Sequence, residues 1–191
     1  MSNIIQTTTD FAMFIVSGYI YPGDVLVDAT CGNGHDTLRL LRHGPSALYA
    51  FDIQQQAVDN TKELLISNGF RDRLEDGTVK LICDSHENMD LYISTPVKAV
   101  VFNLGYLPGS GHKQLTTKRT TTLPAVKNAM EMLGEDAILC VAVYPGHPEG
   151  ALEGKELTEY FSTVSRFKYS IAQIRMVNSP ESPFFTIIET K

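Results

Sequence analysis

An open α/β sheet, Rossmann-like and mostly parallel, is the fold class this sequence predicts, and three observations predict it. Short apolar runs alternate with stretches of helical periodicity along the chain, the pattern of repeated strand–helix–strand units. The first such run, VLVD at residues 25–28, ends on an acid and passes through the glycine-bearing turn TCGNG into a helix. The last two runs, FKYSIAQIRM and PFFTIIET, are joined through Asn178, Ser179 and Pro180, which leaves no room for a crossover helix. They must therefore pair antiparallel. Five parallel strands closed by this C-terminal hairpin make a sheet of seven, in one domain over residues 1–191.

Taken in order, residues 1–24 read as a helical segment packed on the domain, ended by Gly18 or by the Pro22–Gly23 turn. The apolar run FAMFIV in it is far too short to span a bilayer, and neither a basic leader nor a small-residue cleavage site accompanies it. A cytoplasmic protein with no membrane partner is expected. After the strand at 25–28 and the turn at 30–34, a helix opens near His35 and Asp36. ALYAFD is the second strand, ending at Asp52, and QQQAVDNTKELLISNGF is an amphipathic helix stopped at Gly69. TVKLICD and VKAVVFN give the third and fourth strands, ending at Asp84 and Asn103. A helix around 123–133 leads into AILCVAVY, ending at Tyr144, and another helix covers about 151–164 before the hairpin.

Composition sets bounds on function. With 43% apolar and 20% charged residues the chain is globular, and 191 residues suffice for one well-filled core. Cys31, Cys83 and Cys140 have no metal-ligand spacing, and their apolar or small neighbours suggest three buried structural thiols in a reducing compartment. A formal charge of −6 argues against broad, sequence-blind binding of nucleic acid.

Ligands of such sheets bind outside the carboxyl ends of the strands, and there the polar residues gather. Gly32 and Gly34 lack a Cβ, so the turn can use positive φ and a ligand can lie directly on it. Two cofactor classes compete for this turn. Dinucleotide sites seat a pyrophosphate on a longer G-x-G-x-x-G fingerprint, but Thr37 occupies the third glycine position here. The Asp28 carboxylate would repel a pyrophosphate and suit an ammonium, as S-adenosylmethionine presents. D-x-x-x-G-x-G resembles motif I of class I S-adenosylmethionine-dependent methyltransferases. Asp52 follows Asp28 at about the spacing at which an acid meets ribose hydroxyls. Asp84 stands where class I enzymes hold the adenine amino group, although Asp84-Ser85-His86 equally suits an N-cap and first turn.

After the fourth strand, Asn103-Leu104-Gly105-Tyr106-Leu107-Pro108-Gly109 resembles the N-P-P-Y motif of methyltransferases acting on exocyclic amines, with Leu-Gly in place of Pro-Pro. In that motif the Asn carbonyl and the next backbone carbonyl, here those of Asn103 and Leu104, accept hydrogen bonds from the target amine. The aromatic ring, here Tyr106, stacks on a flat substrate. The following loop, 109–122, carries His112, Lys113, Lys118 and Arg119 with no acid, which suits phosphate oxygens. Arg166, Lys168 and Arg175 near the hairpin could extend that basic patch. His147, in the Pro/Gly-rich loop after the fifth strand, could bond the substrate or take a proton from an ammonium.

DATCGNGHDT, FNLGYLPG and YPGHPEG, in this order and spacing, resemble the YtqB-type family, once labelled rRNA methylases and now associated with MnmM activity. The resemblance covers nearly the whole chain and implies a class I methyltransferase domain using S-adenosylmethionine. It further implies methylation of the 5-aminomethyl group on the wobble (2-thio)uridine of tRNA, with the anticodon stem-loop as partner. On that basis Asp28, Thr30, Gly32, Asn33, Gly34, Asp36, Asp52, Ile53, Gln54, Asp84, Ser85, His86 and Asn103 are expected around the cofactor. Asn103, Tyr106 and His147 are expected to be catalytic, and Leu104, Tyr106, His112, Lys113, Lys118 and Arg119 to hold substrate. No metal is expected. Methylation of ribosomal RNA or a small amine is the rival activity, and a nucleotide-binding module or NAD-dependent oxidoreductase the rival class. The sequence leaves the oligomeric state open, a homodimer included.

Overall fold

Alternating side chains decide how the sheet is covered, because successive residues of a strand point to opposite faces. The computed structural model describes residues 7–105, 119–146, 148–179 and 182–191. Their strands are β1 (Val25–Asp28), β2 (Ala47–Asp52), β3 (Val79–Cys83), β4 (Val97–Asn103), β5 (Leu133–Val143), β6 (Tyr169–Ile174) and β7 (Phe184–Thr190). Their helices are α1 (Thr8–Ser17), α2 (His35–Leu41), α3 (Gln55–Ser67), α4 (Arg71–Glu75), α5 (Arg119–Met132) and α6 (Pro148–Thr163), with a 3-10 helix at His86–Leu91. The strands form one sheet in the order β3-β2-β1-β4-β5-β7-β6. The first five run parallel, and β7 pairs antiparallel with both β5 and β6, as the missing crossover requires.

Val27, Val100, Phe102, Leu139 and Val141 lie on one face, under Ala125, Val126 and Ala129 of α5 and Leu157 and Phe161 of α6. Their neighbours Leu26, Ala99, Val101, Ile138 and Cys140 lie on the other, under Met13 and Val16 of α1 and Leu38 and Leu41 of α2. Fully buried side chains such as Phe51 and Phe102 each contribute on the order of 2 kcal/mol through burial. Parity has a consequence for the site: Asp28 shares the face of Leu26, and Asn103 the face of Ala99 and Val101. Both polar strand ends therefore turn toward α2.

Four details depart from the sequence expectations. The fifth helix begins at Arg119, earlier than the predicted 123, and carries Pro124 inside it. Strand β5 begins at Leu133, not Ala137. Leu133 pairs with Val97 but Ile138 with Ala99, so residues 134–137 bulge, with Asp136 at φ 49°. The short helix at 71–75 went unread because it is too short to show a period, and of the 3-10 helix at 86–91 only the cap and first turn were legible. Finally, Cys31 and Cys140 are buried but Cys83 is exposed, because it ends the edge strand β3.

Helix α1 ends at Gly18, whose N–H donates to the Ile15 carbonyl while the Tyr19 N–H takes that of Val16, both at 3.0 Å. Thr7 caps α1 by accepting from the Asp10 N–H at 3.0 Å. The order of strands reverses between β1 and β4, so the turn after β1 and the segment after β4 lie side by side at the switch point.

Candidate cofactor and acceptor site

The glycine turn is held from three sides. The Ala29 N–H donates to the Val101 carbonyl and the Cys31 N–H to the Phe51 carbonyl, both at 2.8 Å, so the chain leaves β1 tied to both neighbouring strands. Asp52 accepts from the Gly32 N–H at 3.1 Å and the Gln54 N–H at 2.9 Å. From α3, Thr61 Oγ1 donates to the Gly32 carbonyl at 3.1 Å, and Asn60 Nδ2 to Asn33 Oδ1 at 2.9 Å. Gly32 and Gly34 take positive φ, 51° and 83°. A Cβ on Gly34 would stand 2.9 Å from the Thr61 Cα. Glycine at 34 thus serves the packing of the turn on α3.

Asp28 plays a different part from the one expected. It has no exposed surface, and its oxygens accept from the Thr30 N–H at 3.2 Å and Thr37 Oγ1 at 2.6 Å. Both of its oxygens are thus engaged by donors of the chain itself. The expected contact with an ammonium therefore gives way to an internal role, bracing the turn against α2. The threonine that breaks the dinucleotide fingerprint is its donor. Burial, and then the nearby Asp36, push the Asp28 carboxyl up to about 7.

At the end of β3 the capping alternative holds. Ser85 caps the 3-10 helix, and Asp84 accepts from the Ser85 N–H, Asn88 Nδ2 and the Tyr92 hydroxyl, at 2.7, 3.0 and 2.8 Å. These bonds hold the Asp84 carboxyl below the usual range, led by that from Tyr92. His86 is enclosed rather than lining a pocket. Its Nδ1 lies 3.3 Å from the Ala29 carbonyl, its ring stacks edge-on against Phe102, and Nε2 is buried without a partner. Burial holds this imidazole below its ordinary pKa. Ile53, by contrast, is an exposed apolar side chain beside Asp52.

Asn103 stands where β4 meets the turn. Its backbone N–H donates to Thr30 Oγ1 at 2.7 Å. Its Nδ2 donates to Asp36 Oδ2 at 3.1 Å, and its Oδ1 is buried and accepts no hydrogen bond among the described residues. Leu104 is buried, with its N–H on the Ala142 carbonyl. The Tyr144 ring packs near Gly105, and its hydroxyl lies 3.2 Å from Thr9 Oγ1 of α1. Tyr106, His112, Lys113, Lys118 and His147 lie outside the described residues, as does the Arg119 side chain.

Sequence reading missed Arg39, Asn60, Thr61 and Tyr92 as parts of this region. Helical spacing could have found Arg39, three positions after Asp36. The other three act through contacts between elements that no local pattern marks.

The donor set can be tested against the cofactor classes. Asp28, Asp36 and Asp52 crowd the turn closely enough that Asp36 and Asp52 both act on the Asp28 carboxyl. Such a surround disfavours a pyrophosphate and fits a ligand carrying sulfonium and ammonium charge. A seven-stranded sheet of this order, with an acid after β2 and an Asn after β4, is the architecture of class I methyltransferases. Residues 48–189 match the family described as "Putative rRNA methylase". This chain belongs to that family and is an S-adenosylmethionine-dependent methyltransferase.

Among similar proteins, a chloroplastic "tRNA (mnm(5)s(2)U34)-methyltransferase" of Arabidopsis thaliana is 35% identical over 187 residues, 93% of this chain and 67% of the relative. The crystal structure of a "putative rRNA-methylase" from Clostridium thermocellum superposes with a TM-score of 0.90 at 36% identity, covering 98% of this chain and 99% of that one. A "putative methyltransferase" from Streptococcus mutans, solved with S-adenosylhomocysteine, gives 0.84 at 29% identity and the same coverage. Among the described residues no helix is long and apolar enough to cross a membrane.

Proposed function

We propose that this enzyme methylates the amine of the 5-aminomethyl group on the wobble (2-thio)uridine of tRNA, giving the 5-methylaminomethyl form, in the cytoplasm. The observation that carries the reading is the Asn103 side chain. Its Nδ2 is engaged by Asp36, and its buried Oδ1 is left as an acceptor with no partner among the described residues. A buried carbonyl without a donor is costly, and an amine N–H is the group that completes it. The name of the Arabidopsis relative supports the same acceptor chemistry.

In this reading Asp52 receives the ribose hydroxyls, Ile53 covers the adenine face, and the backbone of Gly32, Asn33 and Gly34 with Gln54, Asp84 and Ser85 completes the wall. S-adenosylmethionine, when bound, supplies an electrophilic methyl on a cationic sulfur. Asn103 Oδ1 and the Leu104 carbonyl orient the acceptor nitrogen, so alignment carries most of the rate. Tyr106 packs the uracil. His147 or water removes the proton that an aliphatic ammonium must lose before it can attack. The anticodon stem-loop presents its wobble base unpaired, which keeps the cost of access low. His112, Lys113, Lys118 and Arg119 meet its phosphates. One site acts per acceptor, so a monomer and a homodimer serve equally.

Nucleoside mass spectrometry of bulk tRNA from cells lacking the gene, before and after treatment with purified protein and S-adenosylmethionine, tests the proposal. Accumulated 5-aminomethyl-type uridine that gains one methyl supports it. Unchanged tRNA overturns it. Methyl incorporation into ribosomal RNA in the parallel reaction would favour the activity that the family description names.

A further inference from the structure

A chain of polar contacts runs from the N-terminal helix to the acceptor site. Arg39, on α2, donates through one nitrogen to Asp10 Oδ1 of α1 at 2.6 Å and lies 3.6 Å from Asp36 Oδ1 through the other. Asp36 Oδ2 accepts from Asn103 Nδ2 at 3.1 Å. Asp10 is itself held by the Thr7 hydroxyl at 2.8 Å. We propose that Asp36 and Arg39, braced by Asp10, are positioning residues that decide which end of the Asn103 amide faces the methyl-acceptor amine. This inference rests on the role given to Asn103 above and deepens it.

The physical argument is one of donors and acceptors. An ionised carboxylate only accepts, so Asp36 can engage Asn103 only through Nδ2. That choice leaves Oδ1 as the free, buried acceptor that an amine needs. A protonated Asp36, or an Asn in its place, also offers a donor. That donor can take Oδ1 and turn the amide around, presenting an NH2 group that donates to the amine's lone pair and ties up the electrons needed for attack.

Burial raises the Asp36 carboxyl above its ordinary value, while Arg39 first, then Asn103 and His35, lower it. Asp10 opposes them, and Asp36 acts in turn on the Asp28 and Cys140 groups. Arg39 is the largest of the influences that oppose burial and favour the ionised, acceptor-only form of Asp36. Without Arg39 the carboxyl rises further, and the acidic limb of activity moves to higher pH.

The test compares wild type, Asp36→Asn, Arg39→Ala, Arg39→Lys and Asn103→Ala as full chains. Turnover of tRNA bearing 5-aminomethyluridine is measured across pH, and S-adenosylhomocysteine affinity by calorimetry. Protonation of the acceptor amine also shapes the acidic limb, so the Asn103 side-chain amide signals, assigned by their loss in Asn103→Ala, are titrated by NMR without substrate.

The expected result is a kcat lower by about ten- to a hundredfold in Asp36→Asn and Arg39→Ala, with unchanged affinity for S-adenosylhomocysteine. The midpoint of the amide titration rises in Arg39→Ala, returns toward wild type in Arg39→Lys and vanishes in Asp36→Asn. An unmoved midpoint, or affinity that falls in step with kcat, overturns the inference. If Asn103→Ala is inactive while Asp36→Asn and Arg39→Ala turn over normally, the inference fails and the role of Asn103 stands. If Asn103→Ala turns over fully, the role of Asn103 itself fails.

Discussion

Asp28 shows how a side chain at a strand end can brace a turn from within. Its carboxyl is enclosed under the turn with Thr37 as its donor, and burial rather than any partner dominates its titration. The native state keeps a proton on this group that the unfolded chain has already released between the ordinary carboxylate range and about pH 7. The stability tied to that proton is fully present below the unfolded pKa and is lost as pH rises through about 7. For wild type, urea midpoints should therefore fall between about pH 5 and 7, by at most about 1.4 kcal/mol per pH unit for this group. Asp28→Asn should flatten the slope. It cannot abolish it, because Asp36 and Asp52 are shifted in the same direction. Parallel curves for the two proteins would sink this account.

At the scale of elements, the site is a joint between β1, α2 and α3. Gly34 begins α2 with φ 83° and sits against Thr61, so it answers both to its own backbone and to a neighbouring helix. Gly23 makes a useful comparison, since φ is 94° there and nothing lies within 4 Å of where its Cβ would be. Gly23→Ala should cost about 1–2 kcal/mol for the left-handed backbone alone. Gly34→Ala should add about 1–3 kcal/mol for the forced contact with Thr61, seen as a larger fall in thermal midpoint. Equal losses at the two positions would mean that α3 does not clamp the turn. The joint also explains why Asn60 and Thr61 were not legible beforehand. Each looks like an ordinary polar residue of an amphipathic helix, and only the packing of α3 brings them to Gly32 and Asn33.

For the whole molecule, a net charge of −6 and a single acid-free basic stretch at residues 109–122 predict few phosphate contacts under the proposed function. Binding of the cognate anticodon stem-loop should weaken with salt along a shallow logarithmic slope. Replacing Lys113, Lys118 and Arg119 together by Ala should reduce that slope by roughly two to three and leave S-adenosylhomocysteine binding unchanged. A slope indifferent to these three cations would move the RNA path elsewhere, with Arg166, Lys168 and Arg175 the next to replace.

The sequence by itself determined the order of elements, the ends of β1, β2 and β4, and the antiparallel closure, because apolar alternation and the missing crossover are local facts that the fold must obey. It also marked Asp28, Asp52, Asp84 and Asn103 as strand ends at the edge where ligands bind. Tertiary structure decided what each of them faces. Parity turns Asp28 and Asn103 toward α2, and there Asp28 meets Thr37 and disappears from the surface while Asn103 meets Asp36 and keeps one acceptor free. Burial and partner are properties of packed elements, and residues distant in the chain supply them. That is why two polar residues equally conspicuous in the sequence part company, one with both carboxylate oxygens engaged by the chain and the other with an amide oxygen left without a donor among the described residues.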